Sequence, residues 1–304
     1  MSNSSVMETL SSELASIAEG TGGAVVGVHA GGRMPASGIE WREGIVVTAD
    51  HAIRREAEIK VIGAEGKTVS AALSGRDSST DLAVLKIGES GNAIADFAES
   101  TGLKLGQVVL ALGRSWRGNL VASAGIIGGL SGEWRTPRGG LLDQHIRLDL
   151  SLYPGLSGGP LVNGQGKIVG INTRGLAPGR ALTIPVLTVN RVVDELLEKG
   201  HIARPYLGLA MQPVAIPETM RAKLKSTTNS GLLVVHVESE GPADKGSVLL
   251  GDVLTEIRGT ALEDVGAVQD LLASAKVGDK VAIKAIRGGE PVQLSVNLGD
   301  RPGR

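Results

Sequence analysis

No cysteine occurs at any of the 304 positions. Disulfides, thiolate metal sites and a cysteine nucleophile are therefore excluded. Aromatic residues are scarce at 2%, so the cores must be built from Val, Leu, Ile and Ala. An excess of either charge is also missing: 31 Lys and Arg face 32 Asp and Glu, a formal net charge of −1. That balance argues against a nucleic-acid binder, which carries a clear basic excess. Pairs such as Arg54-Arg55 read as solvated surface. No window reaches the ~20 apolar residues that a membrane-crossing helix needs. The first 22 residues lack a basic stretch followed by an unbroken apolar one. As written, then, the chain carries no export signal and reads as cytoplasmic, or periplasmic if a leader has been removed.

What is present is ordinary globular composition, with 42% apolar and 21% charged residues. The length suits two domains. Residues 1–22 read as a helical segment, with Val6, Leu10, Leu14 and Ile17 at helical spacing. Ser5 and Glu8 form a capping box, and Gly20 is the expected stop. From residue 23 the pattern changes to short β-branched runs such as Val25-Val26-Gly27-Val28 and Val108-Val109-Leu110-Ala111-Leu112. Strands broken by frequent turn residues, without long intervening helices, predict an all-β barrel or sandwich. Residues 186–199 read as a helix that Gly200 ends. After a short linker, residues 205–304 read as a smaller α+β unit. Its strand-like runs lie near 206–211, 231–237, 253–258, 280–287 and 292–298, and its helix at 265–273.

Three segments carry chemistry. Pro154-Gly155-Leu156-Ser157-Gly158-Gly159-Pro160 offers a hydroxyl flanked by glycines, whose backbone can approach a substrate carbonyl. Thr48-Ala49-Asp50-His51 ends an apolar run, and Asp77-Ser78-Ser79-Thr80-Asp81 opens another. Taken singly, these are an ordinary loop, a satisfied histidine and a turn aspartate. Together, in the order His, Asp, Ser, they are candidates for a nucleophile, its base and the residue that orients the base.

That order and those contexts resemble the chymotrypsin-like serine proteases, and within them the HtrA/Deg family. Thr48 to His51 is similar to that family's Thr-Asn-x-His motif, and Asp77 to Leu85 to its Asp-x-x-Thr-Asp-Leu-Ala-Val-Leu motif. Gly155 to Pro160 and Gly170-Ile171-Asn172-Thr173 are similar to its nucleophile loop and the strand that follows. Tyr206-Leu207-Gly208-Leu209, Gly241-Pro242-Ala243 and Leu250-Gly251-Asp252-Val253 resemble its PDZ domain. The resemblance implies a mainly β fold: a double β-barrel protease domain over 23–200, then an α+β PDZ domain over 205–304.

It further implies an ATP-independent serine endopeptidase acting on misfolded or C-terminally tagged proteins. His51, Asp81 and Ser157 would be its triad, and the amides of Gly155 and Ser157 its oxyanion hole. Tyr206, Leu207, Gly208 and Leu209 would hold a peptide C-terminus. Digestive relatives that cut after Lys or Arg carry Asp six residues before the nucleophile, where this chain has Ser151. With Leu150, Leu152 and Leu182 nearby, cleavage after small or medium aliphatic residues is expected. Leu156 departs from the family's Asn. Leu cannot hydrogen-bond, so the expectation is a loosely aimed loop with low basal activity. The alternative is a proteolytically silent scaffold or chaperone that binds peptides. No metal, ATP or other cofactor is implied, since neither ligand spacing nor a phosphate loop is present. Family members form trimers through N-terminal aromatics, which residues 1–22 lack. A homotrimer would rest here on Val, Leu and Met, and a monomer is the other option.

Overall fold

A computed structural model describes residues 5–32, 36–88, 92–98, 102–115, 117–177, 179–218, 221 and 229–301. It divides into two units, Met1–Ile202 and Ala203–Arg304.

Helix α1 (Val6–Gly22) starts on Ser5, whose hydroxyl accepts from the Glu8 amide while the Glu8 carboxylate accepts from the Ser5 amide. It runs through Gly20 to Gly22, because a glycine inside a helix costs only about 1 kcal/mol and does not by itself end it. Six strands then close a first barrel: β1 (Val25–His29), β2 (Ala36–Arg42), β3 (Ile45–Ala49), β4 (Ile59–Ile62), β5 (Thr68–Asp77) and β6 (Leu82–Ile87). A second closed barrel joins β7 (Val108–Arg114), β8 (Leu120–Ser131), β11 (His145–Asp149), β12 (Pro160–Asn163), β13 (Ile168–Thr173) and β14 (Leu182–Pro185). Between β8 and β11 lies a small hairpin, β9 (Trp134–Arg135) and β10 (Leu141–Leu142). Helix α2 (Val186–Lys199) follows and ends on Gly200, whose φ of 77° is the left-handed cap that glycine favours.

The unbroken apolar runs are explained by burial on both strand faces. Because side chains alternate along a strand, Val26, Val46, Ala83 and Leu85 share one core with other first-barrel residues. Val109, Ala111, Leu161 and Val169 do the same in the second barrel. Their neighbours Val25, Val47, Leu82, Val84, Leu110, Leu112 and Val162 meet in a third core between the barrels, sealed by Val189, Val192, Val193 and Leu196 of α2. Arg114 is buried with its guanidinium on the carbonyls of Gly22, Val25 and Gly118, each at 2.6 Å. It ties the end of α1 to β1 and β7.

The second unit is built on a sheet ordered β16 (Leu209–Ala215), β17 (Ser230–Val237), β18 (Val253–Ile257), β20 (Lys280–Arg287) and β21 (Glu290–Asn297). Strand β19 (Thr260–Ala261) pairs with β18, and β15 (Pro205–Tyr206) pairs with β22 (Gly299–Asp300). Helices α3 (Pro242–Lys245) and α4 (Val265–Ser274) complete it. Together the two barrels and this sheet-and-helix unit form the mainly β architecture expected from the sequence.

Arg287 locks the second unit by forking onto Asp252, Nε to Oδ1 at 2.8 Å and Nη2 to Oδ2 at 2.7 Å. Burial pushes the Asp252 carboxyl up, but the Arg287 hydrogen bonds, the Leu249 amide and the Arg287 charge outweigh it and hold the pKa below the usual range. A depressed carboxylate stabilises above the ordinary aspartate pKa, and that contribution fades as pH falls through the lowered value. Arg287→Gln leaves a buried carboxylate unpaired. We expect it to destabilise this unit by about 3 kcal/mol at neutral pH, read by urea unfolding of the full chain, and by much less at acid pH.

Candidate active site

Strands β3 and β6 are antiparallel neighbours, with Ala49 opposite Leu82. That register brings the turn after β3 against the residue before β6, so His51 meets Asp81. Nδ1 of His51 lies 2.7 Å from Oδ2 and 3.0 Å from Oδ1 of Asp81, and the His51 backbone N–H donates to Oδ1 at 2.9 Å. Thr173, at the end of β13, donates its hydroxyl to Oδ2. Asp81 is fully buried and accepts from donors on both oxygens, so it is matched to its ionised form. The imidazole proton therefore sits on Nδ1, leaving Nε2 free to accept one.

The motif around Asp81 has a local cause. Asp77 accepts from the Ser79 amide, the Ser79 hydroxyl and the Thr80 hydroxyl, closing a turn that delivers Asp81 with a φ of 60°. Aspartate tolerates this left-handed conformation better than most residues. The turn is braced from the β9–β10 hairpin, where the Thr136 hydroxyl donates to the Ser79 carbonyl at 2.7 Å. On the other side of His51, Arg76 Nε donates to Asp50 Oδ1 at 2.5 Å, and Nη2 donates to the carbonyls of Asp50 and Ile53. The short helical turn carrying His51 is thus gripped from β5.

His51 is held above its ordinary value of 6.5. The Asp81 hydrogen bond raises it, burial works against this, the charges of Asp81 and Asp50 raise it further, and Arg138 opposes them. A base must be neutral to accept a proton, so a raised pKa delays activation as pH climbs. The acid limb of kcat/KM should therefore have its midpoint above 6.5, measured on a peptide substrate between pH 5 and 9.

Ser157 lies in the loop between β11 and β12 and is 8% exposed. Its carbonyl accepts from the Ser37 amide, while Leu156 donates to Tyr153, Gly158 to Asn172 and Gly159 to Leu156. Among the described residues, the amides of Gly155 and Ser157 donate to no backbone carbonyl. The glycines of this loop are dictated by neighbours. A Cβ at Gly158 would lie 2.1 Å from the Ser37 carbonyl oxygen, 2.7 Å from Thr48 Oγ1 and 2.9 Å from the Ala49 nitrogen. The Ser157 loop is therefore seated on the end of the strand that leads to His51. No hydrogen bond joins the Ser157 hydroxyl to His51 among the described residues. Such bonds are often long without substrate and tighten in the complex. Gly175 closes the other side, since a Cβ there would fall 2.5 Å from Asp81 Oδ2 and 2.7 Å from His51 Nδ1.

The expectation drawn from Leu156 needs correction. The side chain is 1% exposed and packs with Leu152, Leu148, Ile146 and Leu161 in the second-barrel core. Burying a leucine contributes roughly 1.5–3 kcal/mol, against about 1 kcal/mol net for a typical hydrogen bond. An apolar anchor thus replaces the polar one, and the loop is fastened rather than loose. Of the residues read as a specificity pocket, Leu150 and Leu152 pack with that same core and Ser151 is exposed. Leu182 instead faces the core between the barrels, so the structure does not bring it together with the other three. Ala181, its neighbour in sequence, packs with Leu150 and Leu152. The sequence reading missed Thr173, Gly175, Arg76 and Ser37 as neighbours of the site. Their bonds join residues up to 118 positions apart, and only the family-like motif Gly170-Ile171-Asn172-Thr173 hinted at one of them, Thr173.

In the second unit, Tyr206 ends β15, Leu207 is buried and Leu209 opens β16. Gly208 has a φ of 74°. The Leu207 carbonyl accepts from Ala243 and the Gly208 carbonyl from Glu238, while the Leu207 and Gly208 amides donate to no backbone carbonyl among the described residues. Among the described residues strand β16 pairs only with β17, which leaves its other edge unpaired there. Among the described residues no helix is long and apolar enough to cross a membrane, and no group of three or more His, Asp or Glu could hold a metal ion.

Two family models match in tandem: the trypsin-like peptidase domain over residues 36–171 and the PDZ domain over 205–298. Serine protease Do-like HtrA of Lactobacillus helveticus is 37% identical over 270 residues, covering 84% of this chain and 65% of the relative. Probable periplasmic serine endoprotease DegP-like of Bartonella henselae is 32% identical over 266 residues, covering 86% and 52%. The chain thus spans just under two thirds of the first relative and about half of the second. Among solved structures, a serine endoprotease from Yersinia pestis superposes with a TM-score of 0.71 at 25% identity, covering 95% of this chain and 98% of that one. HtrA-type protease AlgW with a decapeptide gives 0.70 at 26% identity, covering 96% and 99%. With a trypsin-like peptidase domain of two closed barrels followed by one PDZ domain, this chain is similar over most of its length to the HtrA and DegP-like serine proteases.

Proposed function

We propose that this chain is a serine endopeptidase in which Ser157 attacks the peptide carbonyl, His51 is the base and Asp81 orients it. The observation that carries this reading is the His51–Asp81 pair. A buried, fully accepting carboxylate fixes the proton on Nδ1, beside a glycine-framed serine loop with two amides undonated. Nε2 takes the Ser157 proton as Oγ bonds to the carbonyl carbon, and then passes it to the departing amine as the peptide bond breaks. Water repeats the sequence on the acyl-enzyme and regenerates the serine. The Gly155 and Ser157 amides receive the oxyanion, a contribution of about 2.7–4 kcal/mol per donor. None of these steps calls on ATP.

Substrate selection rests on Leu150, Ser151 and Leu152, with Ala181 in place of Leu182. An apolar lining without an acid favours small or medium aliphatic residues before the scissile bond. The second unit takes the C-terminal carboxylate of misfolded or tagged proteins at the Leu207 and Gly208 amides, and the peptide adds to the unpaired edge of β16. Val6, Met7 and Leu10 of α1 are exposed at 84%, 70% and 40% and supply the surface for a trimer. The periplasmic name of the Bartonella relative favours an exported enzyme over a cytoplasmic one.

Cleavage profiling with a peptide library tests the reading: Ala, Val and Leu should dominate the residue before the cut. A profile dominated by Lys or Arg would refute the pocket, and no cleavage by active-site-intact protein would refute the activity. Light scattering at two concentrations checks for three copies of the 31.2 kDa chain.

A further inference from the structure

Ser37 is buried at 0% exposure on β2, in the first barrel, yet three of its hydrogen bonds reach the second. Its amide donates to the Ser157 carbonyl at 3.0 Å. Its hydroxyl accepts from the Arg114 amide at 2.7 Å and donates to the Gly155 carbonyl at 2.5 Å. The direction of the last bond is fixed by elimination. An amide can only donate, so Oγ must accept from Arg114, and its single hydrogen is left for Gly155. The Ser37 carbonyl is occupied in turn by the Thr48 hydroxyl at 2.6 Å. The surroundings are closed: a Cβ at Gly113 would fall 2.7 Å from Ser37 Oγ and 2.8 Å from the Gly155 carbonyl oxygen.

The two carbonyls held by Ser37 belong to Gly155 and Ser157, the residues whose amides donate to no backbone carbonyl among the described residues. Gripping the carbonyl of a residue restricts its ψ, and through it the path of the loop on both sides of Leu156. Arg114 is itself clamped on Gly22, Val25 and Gly118, so the strand behind Ser37 cannot yield.

We propose that Ser37 is a positioning residue that aims the oxyanion-binding amides of Gly155 and Ser157, through bonds from its hydroxyl and its amide to their carbonyls. The inference rests on the protease reading and adds to it a residue outside the triad. Ser37→Ala removes the hydroxyl, leaving the Gly155 carbonyl and the Arg114 amide buried without partners. Interactions that hold the transition state alone act on kcat and not on KM. Because the loss of one oxyanion donor costs about 10²–10³ in kcat, a misaimed pair should cost roughly 10–100-fold.

The test uses the full chain, with kcat expressed per active site titrated by a fluorophosphonate, so that misfolded protein drops out. Ser37→Ala should lower kcat by roughly that amount, keep KM within about twofold and weaken a peptidyl trifluoromethyl ketone in parallel. The acid limb of the pH profile should stay where the wild type has it, because the His51–Asp81 pair is untouched. Thr48→Val keeps the shape, frees the Ser37 carbonyl and should show the same signature at smaller size. It decides the matter if the alanine variant does not fold. Titrated kcat within twofold of wild type in the folded variants, or a moved acid limb, would overturn the inference while leaving the protease reading standing. A wild type that neither titrates nor cleaves would overturn both.

Discussion

Asp81→Asn should lower kcat about 10⁴-fold while leaving the fold intact. The carboxylate accepts on both oxygens, from His51 Nδ1, the His51 amide and the Thr173 hydroxyl. An amide group has one accepting oxygen and one NH2. Whichever way it turns, it cannot accept from all of these donors. If its NH2 faces Nδ1, the imidazole proton is driven to Nε2 and the base points its hydrogen at the serine. The same change removes the largest cause of the raised His51 pKa. The residual activity should therefore show an acid limb displaced downward, toward or below 6.5. Both readouts come from kcat/KM profiles of titrated enzyme. A loss under tenfold with an unmoved limb would mean that the pair is structural and not part of the chemistry.

The second large effect concerns a glycine. At a φ of 85°, with backbone atoms of β2 and β3 occupying the place of a side chain, Gly158 has no room for a methyl group. Gly158→Ala should destabilise the first unit by roughly 3 kcal/mol or more and abolish cleavage, since the clash is with main chain and cannot be relieved by a rotamer change. Gly166 supplies the control. Its φ is 76°, but nothing lies within 4 Å of its missing Cβ, so Gly166→Ala should cost only about 1 kcal/mol and retain activity. Thermal unfolding and peptide hydrolysis of the two variants separate steric exclusion from simple dihedral strain. Equal effects at both sites would show that the seating of the Ser157 loop is not the constraint.

Much of the fold could be read before any coordinates. Runs such as Val25-Val26-Gly27-Val28 announced short strands, and Gly200 ended α2 where its left-handed dihedral requires. Where the sequence misled, a local signal was overridden by surroundings. Gly20 looked like a helix stop, yet the helix continues to Gly22, where Arg114 holds its last carbonyl. The run at 206–211 looked like one strand but divides at Leu207-Gly208, between β15 and β16. Leu156 carried a substitution whose meaning depended on its environment: polar reasoning predicted a loose loop, and burial supplied the anchor. Leu182 was adjacent to the right segment but on the wrong face of β14, because alternate residues of a buried strand serve different cores. Ser37 and Arg76 gave no usable warning, since each acts on a residue far away in the chain. Local patterning reports which backbone forms, whereas these bonds depend on how two closed barrels meet.

Covalent titration with a fluorophosphonate, followed by peptide mass spectrometry at neutral pH, bears most directly on whether Ser157 is the nucleophile. A single adduct should form on Ser157, vanish in Ser157→Ala and slow by orders of magnitude in His51→Ala. Folded wild-type protein that stays unlabelled even with bound peptide, or labels at some other serine, would contradict the account.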